Sequence, residues 1–162
     1  MKTAGNYAAS IMAAEEAHKA GYTQVLWLDA CERKYVEEVG TSNIFFMINN
    51  ELVTPPLGGS ILPGITRDSV IQLARKWGMK VVERPVTIDE VIEASIDGSL
   101  TEAFGTGTAA VISPVGELCY KDKKYVINSG RTGLFSQRLF DELQAIQNGQ
   151  QEDPFKWITR VG

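Results

Sequence analysis

Four short stretches combine glycine or proline with hydroxyl-bearing or ionisable side chains: Lys2 to Tyr7 (KTAGNY), Glu38 to Asn43 (EVGTSN), Leu62 to Arg67 (LPGITR) and Phe104 to Ala109 (FGTGTA). LPGITR leads from a loop into a helical stretch, so the amides of Ile65 and Thr66 would point at any anion along the positive end of the helix dipole. Gly64 allows close backbone approach there, and Thr66 adds a hydroxyl. The same residues would also serve simply as a loop and helix cap. FGTGTA offers two glycines and two threonines in a turn that could form an anion-binding nest or be only a tight turn. It lacks the spacing of a Walker loop and of the dinucleotide fingerprint. Glu38, at the end of a strand, would be an ordinary exposed carboxylate or, if buried, would need a cationic partner such as a protonated ring nitrogen. Lys2 would normally be a solvated terminal charge; work as a Schiff-base amine would require desolvation and a nearby cation.

The elements that must carry these stretches are legible in outline. Asn6 to Ala20 has helical spacing and ends at Gly21. Gln24 to Asp29, Tyr35 to Val39 and Asn43 to Ile48 are short runs of β-formers divided by turn residues, and Asn49-Asn50 is suited to turning the last into another strand. Thr66 to Trp77 sets Val70, Ile71, Leu73, Ala74 and Trp77 on one face of a helix stopped by Gly78. Lys80 to Val86 alternates as a strand, and Thr87-Ile88-Asp89-Glu90 is a capping box opening a short helix. Ala109 to Val115, Leu118 to Tyr120 and Lys124 to Ile127 read as strands, Leu134 to Gln147 as an amphipathic helix, and the stretch from Gly149 onward is too polar to assign. Interleaved helices and strands predict a mixed α/β or α+β single domain over 1–162.

Composition narrows the partners. Sixteen basic against twenty acidic residues give a net charge of −4, with no block of like charge, which argues against nucleic acid. No apolar run approaches the roughly 20 residues of a membrane span, and the expectation is a cytoplasmic protein. Cys31 and Cys119 belong to no ligand cluster and read as packing residues, while His18 reads as a helix-surface histidine.

The wording and order of KTAGNYAAS, EVGTSNIF, LPGITR and FGTGTAAV, together with QVLWLD and VTPPLGGSILPG, resemble the fold-type IV pyridoxal 5′-phosphate (PLP) enzymes, specifically the branched-chain amino acid aminotransferases. The resemblance runs from residue 2 to about residue 150. It implies the C-terminal domain of that fold, with mixed sheets forming a pseudo-barrel and helices flanking them. By resemblance, Lys2 carries PLP as a Schiff base and Tyr7 hydrogen-bonds the cofactor's phenolic oxygen. Glu38 sits at the pyridine nitrogen with Thr41 beside the ring, and Leu62 packs on a ring face. Ile65, Thr66 and Thr108 hold the phosphate, and the amides of Thr108 and Ala109 face the substrate's α-carboxylate.

The activity implied is ping-pong transamination of leucine, isoleucine and valine with 2-oxoglutarate, in a homodimeric parent. Where some family members carry a redox CxxC, this chain reads Ala110-Val111-Ile112-Ser113. The resemblance also implies a smaller N-terminal domain that supplies an arginine to the phosphate and much of the side-chain pocket. None of it is found in this chain, so the segment alone is expected to be inactive. The alternatives are a scaffold fragment without cofactor and another fold-type IV enzyme, a D-amino acid aminotransferase or an aminodeoxychorismate lyase.

Overall fold

The run Ser42–Ile48 (β3, SNIFFMI) is aromatic and aliphatic from its third residue onward, which suits a strand covered on both faces. In the computed structural model, which describes residues 10–159, β3 is the centre of a seven-stranded sheet and is buried from Asn43 to Ile48. One edge of β3 pairs along its length with Leu100–Gly107 (β6), antiparallel, from Asn43↔Thr106 to Ile48↔Leu100. The other edge is shared. Val36–Val39 (β2) takes its first residues, through Glu38↔Asn43 and Val39↔Ser42, and Glu51–Thr54 (β4) takes its last. The sheet therefore branches at β3: Leu26–Leu28 (β1) extends one arm beyond β2, and Val81–Glu83 (β5), parallel to β4, extends the other. Val111–Pro114 (β7) adds antiparallel to β6, and Glu117–Tyr120 (β8) with Lys123–Val126 (β9) forms a separate hairpin. Asn49 and Asn50, at φ of 51° and 61°, make the β3–β4 turn that the paired asparagines predict.

Alternation along β3 sends Phe45 and Met47 to one face and Ile44, Phe46 and Ile48 to the other. On the first face they join Leu52, Phe104 and residues of two helices, Ile65–Lys76 (α2) and Leu134–Gln147 (α4). Phe45 and Phe104, paired across the strands, stack at 5.4 Å between ring centres. On the second face they meet Val36, Val86, Ile127 and the apolar side of Ile88–Asp97 (α3). Each fully buried phenylalanine contributes roughly 2–3 kcal/mol of transfer free energy. The helix Ile11–Lys19 (α1) lies outside both clusters and has no buried residue. The mixed α/β architecture with flanking helices thus follows the sequence expectation. No helix among the described residues is long and apolar enough to cross a membrane.

Several local expectations are corrected. Phe104 to Gly107 is not a turn but the end of the longest strand, β6, and only residues 108–110 turn into β7. The glycines that disguise the strand are packing requirements: a Cβ at Gly105 would stand 2.9 Å from Val39 Cγ1, and one at Gly107 would stand 2.7 Å from Ser42 Oγ. The expected strand over Lys80 to Val86 shortens to Val81–Glu83, because the chain leaves β4 at Thr54. Cys31 and Cys119 are exposed thiols rather than core residues. In the polar tail, Phe155 and Trp157 stack at 4.5 Å and pack against the cluster beneath α2 and α4.

Candidate functional site

The branching of the sheet brings the chemically distinctive stretches to one end of it. Because Glu38 pairs with Asn43, and Asn43 with Thr106, these three side chains share one face at the end where β2 turns into β3 and β6 turns into β7. Ser42, Gly105 and Gly107 point to the opposite face, and the turns carrying Thr41 and Thr108–Ala110 lie beyond both.

Glu38 is half-buried, and its Oε1 accepts the Leu62 N–H at 3.1 Å and the Asn43 Nδ2–H at 3.2 Å. Asn43 Nδ2 also donates to the Leu62 carbonyl at 2.9 Å. The loop that opens α2 is thereby tied to the glutamate through both polar atoms of one peptide residue. Beyond Leu62, Gly64 is the N-cap of α2, and among the described residues no side chain caps the helix amides there. Ile65 is 87 % exposed and Thr66 is half-buried. The start of α2 is held from its flank instead. Arg67, only 4 % exposed, donates to the Pro55 carbonyl at 3.0 Å and to Glu83 Oε2 at 2.9 Å. The Arg67 guanidinium, then burial in the opposing direction and the more exposed Arg75, leave the Glu83 carboxyl below the usual carboxylate range.

Two sides of the sheet end therefore carry different parts of the expected site. Thr41, Thr108 and Ala109 line a cleft of about 580 Å³ together with Gly105 and Gly107. Glu38, Leu62, Ile65 and Thr66 are not part of that lining; they stand on the Asn43 side, around the start of α2. Lys2 and Tyr7 lie outside the described residues.

Two polar residues go beyond the sequence expectation. Asn43, 5 % exposed, is the bridge just described. Thr106, 2 % exposed, has a buried Oγ1 with no hydrogen-bond partner among the described residues, at the register position facing Asn43. The available signal was an asparagine directly ahead of an apolar run, since a polar side chain drawn into a core must find partners.

Residues 1–118 match the amino-transferase class IV family, and the chain belongs to it. It is 59% identical over 160 residues to branched-chain-amino-acid aminotransferase 2 of Bacillus subtilis (strain 168), covering 99% of this chain and 44% of that protein. The branched-chain-amino-acid aminotransferase of Mycobacterium tuberculosis (strain CDC 1551 / Oshkosh) is 47% identical over 165 residues, covering 99% and 45%. Among solved structures, the branched-chain amino acid aminotransferase of Escherichia coli superposes with a TM-score of 0.81 at 33% identity, over 96% of this chain and 49% of that one. The T.th. branched-chain amino acid aminotransferase complexed with N-(5′-phosphopyridoxyl)-L-glutamate superposes at 0.83 and 34% identity, over 99% and 50%. The chain spans a little under half the length of the curated relatives it matches.

Proposed function

We propose that this chain forms the PLP-binding portion of a branched-chain amino acid aminotransferase, acting by ping-pong exchange between leucine, isoleucine or valine and 2-oxoglutarate in a cytoplasmic homodimer. The observation that carries the reading is the hydrogen-bonded connection of a half-buried carboxylate, Glu38, to a helix start whose amides no side chain caps among the described residues. The names of the relatives support the substrate class. The residues suit a phosphorylated, nitrogen-containing aromatic ring: a carboxylate at one end, an anion-seeking helix terminus at the other, and close by in register the buried hydroxyl of Thr106, which has no partner among the described residues.

When bound, PLP supplies the carbonyl that takes the amino group and the ring that withdraws electrons from the reacting carbon. Glu38 would hold a proton at the ring nitrogen, and Leu62 would pack on the ring with Thr41 beside it. The amides of Ile65 and Thr66, with the Thr66 and Thr108 hydroxyls, would bind the phosphate. The amides of Thr108 and Ala109 would orient the substrate carboxylate, Tyr7 would bond the phenolic oxygen, and Lys2 Nζ would move the proton at the substrate Cα. Much of the pocket for the substrate side chain would come from a further domain.

The test is borohydride reduction of the protein in the presence of PLP, followed by peptide mass mapping. The expected result is one cofactor adduct, on the peptide bearing Lys2, lost in Lys2→Ala. An adduct on another lysine, or none at saturating PLP, would favour a silent scaffold and overturn the assignment.

A further inference from the structure

Asn43 occupies an unusual position among the polar residues of this fold. It is buried at the start of the central strand, and one of its amide hydrogens or the other reaches both Glu38 Oε1, at 3.2 Å, and the Leu62 carbonyl, at 2.9 Å. The Leu62 N–H completes a closed set by donating to the same Glu38 oxygen at 3.1 Å. The other end of the amide faces the start of α2 and leaves no room for a side chain there, since a Cβ at Gly64 would lie 2.2 Å from Asn43 Oδ1. Gly64 has an ordinary extended backbone, φ −71° and ψ 136°, so contact with Asn43 and not backbone strain is what requires glycine. One side chain thus touches the carboxylate, the loop peptide and the N-cap of the helix.

We propose that Asn43 is a positioning residue that couples the carboxylate of Glu38 to the start of α2, holding the nitrogen-binding and phosphate-binding ends of the cofactor site at a fixed separation. The inference rests on the reading of Glu38, Ile65 and Thr66 given under Proposed function. Its physical basis is that a buried amide bonded to a carboxylate and a carbonyl cannot move without stranding one of them. Displacement of either end is therefore transmitted to the other.

A residue that merely filled space would weaken every ligand alike, whereas a coupling residue changes how strongly the site rewards a phosphate. The informative quantity is the ratio of the dissociation constants of pyridoxal, which lacks the phosphate, and PLP, measured by absorbance titration on the complete polypeptide. Asn43→Ala is expected to lower that ratio about tenfold, the effect of losing one hydrogen bond to a charged group. Asn43→Ser, a smaller change in volume, should lower it in the same direction and serves if the alanine variant does not fold. Gly64→Ala should reproduce the loss by pushing the amide from its seat, and should add little in an Asn43→Ala background, where the clash is gone. Equal weakening of both ligands, or an unchanged ratio, in the folded Asn43 variants would overturn the proposal. Glu38→Gln and Thr66→Ala are the controls. If neither alters PLP affinity, the cofactor reading itself falls; if they do and the ratio ignores Asn43, only the coupling falls.

Discussion

The helices α2, α3 and α4 begin in three different ways. Helix α3 caps itself: Thr87 Oγ1 accepts the Glu90 N–H at 3.1 Å, and Asp89 and Glu90 set negative charge against the dipole. Helix α4 has Gly133 at its cap position and is closed by a distant carboxylate, since Glu102 of β6 accepts the Phe135 N–H, the Ser136 N–H and the Ser136 hydroxyl, each at 2.9 Å. Helix α2 has no side-chain cap among the described residues and is pinned from the side, by Arg67 on Pro55 and Glu83. Two of these starts satisfy their amides with oxygen atoms of the chain itself, and Glu102 shows how well an anion fits such a position. The third is tied to the sheet by Arg67 in place of such a cap. The difference separates two helix starts closed by oxygen atoms of the chain from one that no side chain closes among the described residues, the start to which the proposed function assigns the phosphate.

The comparison breaks most visibly at Glu102. Glu102→Gln replaces a carboxylate bound by three donors with a neutral amide, and should lower the unfolding free energy by about 2 kcal/mol in denaturant titration. A cost below about 0.5 kcal/mol would mean that the α4 start needs no anion. A smaller and more diagnostic contrast comes from two threonines. Thr87→Ala should cost about 1 kcal/mol of stability and leave PLP affinity alone. Thr66→Ala should do the reverse, keeping the melting temperature and weakening PLP about tenfold. Equal behaviour of the two variants would erase the distinction drawn between α2 and α3.

The smallest expected effect concerns pH. Because the Glu83 carboxyl is lowered from its usual 4.5 in the folded state, chiefly by the Arg67 hydrogen bond, its contribution to stability is complete above that value. It is lost as pH falls through the lower, folded value. Chemical denaturation between neutral and acid pH should therefore show a stability decline that is shallower in Arg67→Met. An identical acid slope in the variant would show that the flank of α2 is not held by this pair.

Much of this was visible before folding. The apolar period of Val70, Ile71, Leu73 and Ala74, the Thr87 capping box and the paired asparagines at 49 and 50 each carry their own local cause, and each element stands near its expected place. Strand β6 escaped detection because its glycines answer to neighbours on β2 and β3 that sequence spacing does not reveal. Asn43 escaped as a site residue for a related reason. An asparagine at the head of an apolar strand announces that it needs partners without naming them, and Leu62 lies nineteen positions away.

What the sequence determined by itself is the set of local choices: periodicity, caps, turns and the wording of the glycine-rich stretches, all of which depend on residues within one or two helical turns. Only the tertiary structure decided that β2 and β4 share an edge of β3, and with it that Glu38, Asn43, Thr106 and the start of α2 meet at one end of the sheet. The physical reason is that strand pairing is a long-range contact, selected by the burial of both faces of β3 and not by any residue's own conformational preference.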